Sequence, residues 1–379
     1  MAAKSNTTPF YTKLAMVLIS LIALGYLAIL GKKLLVPLLF SLMFAILLLP
    51  LANALEKWLR LPRGAASILS VIILISGIGF ILYIVGAQLT NLASDWPQFK
   101  QQLTTSVNGL QDWISATFHV NLQKQKAYVN NATSAIMSSG TTVLGATVLS
   151  VSSTLFYLVF VLIDTFFLLF YRSLIIKFLL AVFKEDNSVI VYEIVENIQN
   201  IIRQYILGLL LEMAIVASVC CIAFAILGIK YAILLGLLTG LFNIIPYIGI
   251  FTALLLSVFI TFATGAGGGT ILIVAVVIIG MHLIDSNLLL PMIVGSKVKI
   301  NALITILGVV TGEMLWGIPG MFLAIPVIAM TKIIFDRIES LKPWGILLGE
   351  DKNEQRPKPI AVNADTGKTA AENVKDAGN

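Results

Sequence analysis

Leu235-Gly236-Leu237-Leu238-Thr239-Gly240-Leu241-Phe242-Asn243-Ile244-Ile245-Pro246-Tyr247-Ile248-Gly249 lies in the middle of an apolar stretch that runs from Tyr231 to Ala263. Drawn as one straight helix, this stretch would be roughly 50 Å long at 1.5 Å per residue. That is too long for one upright crossing of a ~30 Å hydrocarbon core. Cut at the Asn/Pro/Gly cluster, each half is roughly 22–26 Å, short for a full crossing. The options are a re-entrant hairpin, two thin tilted spans or a broken helix. Each puts non-helical backbone at membrane depth, where it must face protein or a wet cavity, because lipid offers it no hydrogen bonds.

A second stretch, Leu303–Ile334, follows the same plan. Leu307-Gly308-Val309-Val310-Thr311-Gly312 repeats the L-G-x-x-T-G of Leu235–Gly240, and Trp316-Gly317-Ile318-Pro319-Gly320 interrupts it, with Pro326 beyond. The predicted hairpin breaks are therefore Pro246 and Gly249 in the first stretch and Pro319 and Gly320 in the second. Paired Gly/Pro-interrupted segments in corresponding parts of a chain point to a transporter's binding region. The same small-xxx-small spacing, Gly236/Gly240 and Gly308/Gly312, also suits plain close packing of helices.

The rest of the chain agrees with a membrane protein. Of 379 residues, 58% are hydrophobic and 12% charged, with a mean hydropathy of +0.97. A soluble domain usually carries about 25% charged residues. The excess apolar surface must face lipid. Six uninterrupted apolar runs approach spanning length: Leu14–Leu30, Leu34–Leu55, Ala65–Val85, Val143–Tyr171, Tyr205–Ile229 and Thr270–Leu290. The predicted fold is an all-α polytopic bundle of about six full spans plus two broken-helix hairpins. Residues 1–87 form the first three spans, 88–142 an external amphipathic region, 143–348 a core with both hairpins, and 349–379 a disordered tail. Within the external region, Leu92, Trp96, Phe99, Leu103, Val107 and Leu110 recur at helical spacing. That stripe could pack on the protein's own spans, on headgroups or on another subunit. Ile190, Ile194, Ile198 and Ile201 make a second stripe within 183–204, expected to lie on the inner membrane surface.

The formal net charge of +6 is informative by location. Lys4 and Lys13, then Lys57, Arg60 and Arg63, then Arg172, Lys177 and Lys184, then Lys332, Arg337 and Lys342 fit one side of the membrane, which predicts both termini inside. Lys32 and Lys33 disagree, in a short outer turn. No aromatic-basic interleaving suggests nucleic acid. Cys220 and Cys221 are adjacent in an apolar run and read as two small buried side chains, and no zinc-ligand spacing is present.

No nucleophile-base-acid arrangement or phosphate loop stands out, so an enzyme with a cofactor is not expected. Asp164, Glu212, Asp285 and Glu313 are more informative, because they sit inside apolar runs. A charged carboxylate at the bilayer centre costs at least ~2.5–3.5 kcal/mol on insertion scales, so each needs a partner, a cavity or a proton. His282 and Asp285 are three residues apart and share a helix face, with Ser286 four from His282. Asn287 points elsewhere. This cluster could hydrate a pathway, hold a cation or relay a proton, or it could be inter-helix polar glue. The candidate pathway residues are Asp285, Asn287, His282, Glu212, Glu313 and Asn243.

Several of these residues form an ordered series. Leu227-Gly228-Ile229-Lys230-Tyr231-Ala232, Asn243-Ile244-Ile245-Pro246-Tyr247-Ile248-Gly249, Asp285-Ser286-Asn287 with Pro291, Gly295-Ser296-Lys297-Val298 and Trp316-Gly317-Ile318-Pro319-Gly320-Met321 resemble the autoinducer-2 exporter family of bacterial permeases. The resemblance covers roughly Leu14 to Leu348. It implies an inner-membrane, homo-oligomeric permease whose cargo ranges from autoinducer-2 to sodium or lithium exchanged for protons. Two departures stand out. Asn301-Ala302 replaces the family's frequent His-Pro, and Gly312-Glu313 replaces Gly-Gly, adding a charge near the expected pathway. The leading expectation is export of a small solute across the bacterial inner membrane. A sodium(lithium)/proton antiporter is the alternative, and a non-transporting membrane scaffold a further one.

Overall fold

A computed structural model describes residues 9–95, 97–98, 101–102, 104–105, 156–183, 188–245, 248–295 and 300–350. Most of the expected external region, the start of the fourth span, Pro246 and nearly all of the polar tail lie outside these residues. Among the described residues the chain is helical, and its one β feature is an isolated bridge between Ile300 and Gly349. The helices are α1 (Phe10–Leu30), α2 (Lys32–Trp58), α3 (Arg63–Ser94), α4 (Phe156–Phe170), α5 (Arg172–Val182), α6 (Ser188–Ile226), α7 (Ala232–Asn243), α8 (Ile248–Ala263), α9 (Gly268–Ile284), α10 (Ala302–Trp316), α11 (Ile318–Arg337) and α12 (Lys342–Leu348).

By length and composition α2, α3, α6, α11 and α9 with its extension to Ile293 can each cross a membrane. Helices α4 and α5 meet that test together, with a bend of 68° at the break. The apolar part of α1, together with α7, α8 and α10, is shorter. The protein is therefore an all-α polytopic membrane protein.

Three particulars differ from the sequence reading. The stripe Ile190–Ile201 does not form a separate surface helix. It is continuous with the span at Tyr205 in one 39-residue helix, roughly 58 Å long at 1.5 Å per residue. Ile198 of the stripe, with Ile202, Tyr205 and Ile206 of α6, packs on Met43 and Ile46 of α2 and Leu323 of α11, while Ile190 at the stripe's start stays exposed. Helix α11, expected as a thin half of a hairpin, is 20 residues and long enough to span. Helix α3 runs on to Ser94 rather than stopping near Val85. There Lys230 and Tyr231 donate to the carboxylate of Asp95. These hydrogen bonds, Lys230's first, hold the Asp95 carboxyl below the usual carboxylate range.

The core gathers around α6. Val216, Cys220 and Phe224 of α6 bury against Leu234 and Leu235 of α7, Ile260 of α8, and Val274, Ile278 and Met281 of α9. A second contact set joins Ala45, Leu48 and Ala52 of α2 to Val71 of α3 and Leu169 of α4.

The two L-G-x-x-T-G motifs serve close packing, but against different partners. A Cβ on Gly236 would sit 2.4 Å from Cys221 Sγ, and one on Gly240 would sit 2.7 Å from Met213 O, both on α6. In the second motif a Cβ on Gly308 would meet Ile328 Cδ1 at 2.1 Å, and one on Gly312 would meet Gly320 O at 2.4 Å, both on α11. The second break falls at Gly317, with φ 71° and ψ −148°, a conformation that glycine adopts without steric penalty. Pro319 then sits in the first turn of α11, where its missing N–H costs nothing.

Gly320→Ala should therefore destabilise the protein. Its Cβ would fall 1.9 Å from Gly312 O, a backbone atom that cannot step aside. Overpacking of this kind costs about 1–3 kcal/mol. The matched control is Gly280→Ala in α9, where nothing lies within 4 Å of a Cβ. Thermal melts in detergent should drop by several degrees for Gly320→Ala and stay level or rise for Gly280→Ala. Equal melts for the two would refute the close crossing.

Candidate functional site

Glu212 stands near the middle of α6 and is 3% exposed. Asp285 stands where α9 ends and is 5% exposed. Asn243 is the last residue of α7, at the first hairpin's break. Separated in sequence, the three meet in space. Asn243 Nδ2 donates to Glu212 Oε1 and to Asp285 Oδ2, each at 3.1 Å. One amide thus bridges two buried carboxylates on two other helices.

Local backbone explains how each arrives there. Helix α7 ends in tight turns, with Ile245 N–H bonded to Phe242 O at 2.9 Å. Gly249 opens α8 against that same end, since a Cβ there would lie 1.9 Å from Phe242 O. The end of α7 and the start of α8 thus lie in close contact, with the Asn243 amide turned to Glu212 and Asp285. In α9 the α-helix gives way to wider π turns over Asp285–Leu289 and Pro291–Gly295. Pro291 lacks an N–H, so an ordinary helical ladder cannot continue through it. Ser286 Oγ donates to His282 O at 2.8 Å and Asn287 Nδ2 to Leu283 O at 2.7 Å, supplying donors to carbonyls at the transition. Wide turns of this type recur at functional sites.

Polar capacity remains at the cluster. Glu212 Oε2, Asp285 Oδ1 and His282 Nδ1 are buried without a protein partner among the described residues. Asn243, His282 and Asp285 line a small cavity with Val216, Thr239, Ile250 and Ile278. It offers about 10 Å³ to the centre of a water-sized sphere, close to the room one water needs.

The remaining predicted residues take other places. Asn287 is exposed and turned to its own backbone. Glu313 is exposed on α10, and no contact brings it to the cluster. Gly320 and Gly249 are buried at the breaks they mark, and Pro319 is exposed. Asp164 is half-buried in α4. No group of three or more His, Cys, Asp or Glu among the described residues could hold a metal. Sequence reasoning missed the π turns, for which Pro291 closely following two side-chain donors, Ser286 and Asn287, was the available signal. It also missed the bond from Arg172 Nη2 to both Glu56 oxygens at 2.8 Å, which joins α5 to α2.

Comparison with known proteins completes the picture. A model of AI-2E family transporters matches residues 18–340. The chain is similar to YueF of Bacillus subtilis (strain 168), 28% identical over 313 residues, which cover 77% of this chain and 80% of that one. It is 25% identical to YrrI of the same organism, over 80% of this chain and 86% of the relative. It is also 23% identical to the AI-2 transport protein TqsA of Escherichia coli (strain K12), over 86% of this chain and 92% of the relative.

The bridge makes a thermodynamic prediction. Asn243→Leu removes the amide donor that the two carboxylates share, and leaving buried groups without such a bond costs about 1–3 kcal/mol. Placed in a Glu212→Gln/Asp285→Asn background, the same substitution should cost at least about 1 kcal/mol less, the signature of coupled neighbours. Denaturation of purified protein in detergent measures all arms of the cycle. Additive costs would mean that Asn243 does not bridge the acids.

Proposed function

The chain belongs to the AI-2E family of transporters, and on that premise we propose that it is a secondary permease carrying a small polar solute out across the bacterial inner membrane through the Glu212–Asn243–Asp285 cluster. One observation carries the proposal: a single neutral amide joins two buried acids on two further helices, at the break of an interrupted hairpin. Carboxylates inside a membrane protein that pair with no cation mark ion, proton or substrate pathways by default. The free oxygens of both acids and the free ring nitrogen of His282 are acceptors into which a solute's hydroxyl groups can donate. The similarity to the AI-2 transport protein TqsA supports a signalling solute of that class as cargo.

The same pair favours a second reading, exchange of sodium or lithium for protons. Two close acids in a dry setting repel each other when both are ionised, and one proton or one monovalent cation relieves that repulsion. Both readings use the same residues and differ in what neutralises them.

The proposed orientation places both termini in the cytoplasm. It rests on basic residues that gather at one end. Arg172 and the Gln199 end of α6 line one cavity with Met330 of α11, Arg63 bonds Ser173 at 2.8 Å, and Arg337 pairs with Glu193 nearby on α6. An inner-facing cluster of this kind is what positive charge near span ends dictates.

Purified protein in liposomes, under a set proton gradient, tests the proposal with a panel of hydroxylated solutes and monovalent cations. Wild type should move a solute, and Asp285→Asn and Glu212→Gln should each slow it about tenfold or more, equivalent to about 1.4 kcal/mol. Glu313→Gln, away from the cluster, should change the rate less than about twofold, or about 0.4 kcal/mol on the same scale. Collapse of the gradient by sodium or lithium alone would favour the second reading. Absence of both movements, or full activity in Asp285→Asn, would defeat the role given to the cluster.

A further inference from the structure

At the end of the bundle opposite to Lys230, α2, α4, α5, α6 and α11 line an open-sided cavity of about 240 Å³. Its lining includes Ala45, Leu49, Leu168, Ile176, Leu179 and Ile198, and its only polar lining residues are Arg172 and Gln199. Water gains little against so apolar a lining, which offers it few polar partners. Leaving it empty forfeits dispersion contacts on every wall. The surrounding membrane offers a filler of the right chemistry in the hydrocarbon chain of a lipid.

The chamber's one charge is poised for a second partner. Arg172 Nη2 donates to both oxygens of Glu56. Arg172 Nη1 is buried without a protein partner among the described residues, although the side chain as a whole is 19% exposed. A guanidinium readily serves two acceptors at once, one of them a phosphate. The charge around it is lopsided. Segments 56–63 and 172–177 carry Lys57, Arg60, Arg63, Arg172 and Lys177 against Glu56 alone. Arg63 reaches Ser173 at 2.8 Å, so these two segments touch. Glu193, across on α6, is already held by Arg337.

Helix α5 places this arrangement at the membrane surface. It turns away from α4 by 68° and has no buried residue. Leu174, Phe178 and Val182 are 60% exposed or more, as expected of a helix lying along the interface. With α5 along the interface, one wall of the chamber is an interfacial helix and the guanidinium lies at headgroup level, a placement that belongs to the proposal below.

We propose that this chamber is a binding site for an anionic phospholipid, with an acyl chain filling the apolar cavity and the headgroup phosphate accepting a hydrogen bond from Arg172 Nη1. The site is distinct from the Glu212–Asn243–Asp285 cluster and does not depend on what the permease carries.

Delipidated full-length protein, titrated with phosphatidylglycerol or phosphatidylcholine of identical chains and read by native mass spectrometry, tests the proposal. Wild type should retain phosphatidylglycerol about tenfold better, in line with the attraction of basic residues for anionic headgroups. Arg172→Lys keeps a charge for Glu56 but loses the second nitrogen that serves the phosphate, so the preference should fall by about half or more. Leu179→Trp fills the chamber without touching any charge and should abolish retention of both lipids. Ile176→Phe, from the same helix, replaces it should that variant fail to give a cooperative melt. Equal retention of the two lipids by wild type would overturn the proposal, as would filled variants that bind like wild type. Displacement of phosphatidylglycerol by inorganic phosphate alone would reduce the site to an anion site and overturn the role of the acyl chain.

Discussion

Hydrocarbon cannot hydrogen-bond, and the rest of this structure depends on that fact. Every peptide group or acid that leaves a regular helix inside the bilayer must find its partner within the protein. The chain meets the demand differently at each irregularity. At Gly317 the helix stops for one residue and restarts with proline in its first turn, while Trp316 Nε1 ties the turn to Ala28 O of α1 at 2.9 Å. At Asp285 the helix widens instead of stopping, and Ser286 and Asn287 donate to carbonyls one turn back. At Asn243 the interruption is completed by two carboxylates from elsewhere in the fold.

The two interrupted hairpins look alike in sequence and act differently in space. Gly236 and Gly240 let α7 lie against α6, which brings the Asn243 end of that hairpin to Glu212. Gly308 and Gly312 let α10 lie against α11, its own continuation. The first hairpin's close crossing is thus made with the bundle, and the second's is made within the hairpin, while Leu323 of α11 packs on α2 and α6. Helix lengths agree: α7 and α8 are 12 and 16 residues, whereas α11 reaches 20. The extra acid of the second motif, Glu313, accordingly stays exposed while Glu212 and Asp285 are buried.

Much of this was legible in the amino-acid sequence, because hydropathy and Pro/Gly punctuation act locally. Most of the spans, both interruptions and the acids inside apolar runs followed from counting residues against membrane thickness, whereas Leu14–Leu30 falls short of spanning length. What could not be read there depends on partners distant in the chain. The stripe at Ile190–Ile201 has the same pattern whether it forms a separate surface helix or continues a span, and only the 39-residue helix, with Ile198 packed beside Met43 and Ile46, decides. Arg172 looks like a charge snorkelling from a span end until Glu56, 116 residues away, is placed beside it. Asp285, Glu212 and Asn243 were each singled out separately, but their convergence through one amide is a property of the fold. The family resemblance lay in ordered motifs rather than in any one of them, and the match over residues 18–340 has the same breadth.

The choice of asparagine at the centre of the acid pair has a consequence of its own. Among the described residues, Glu56, Asp95, Glu193 and Asp336 each hold a basic side chain, Arg172, Lys230, Arg337 and Lys332 in turn. Those acids are neutralised within the protein. Glu212 and Asp285 have no basic partner among the described residues; they share the Asn243 amide, which donates two hydrogen bonds and brings no charge. A lysine or arginine in that position would cancel one of the two charges permanently and leave less for a proton, an ion or a solute's hydroxyl to supply. Asparagine fixes the geometry of the two acids and leaves their electrostatic demand open. A site that is held in shape yet not neutralised from within suits binding and release of a mobile partner, whereas a structural ion pair has no reason to be left incomplete.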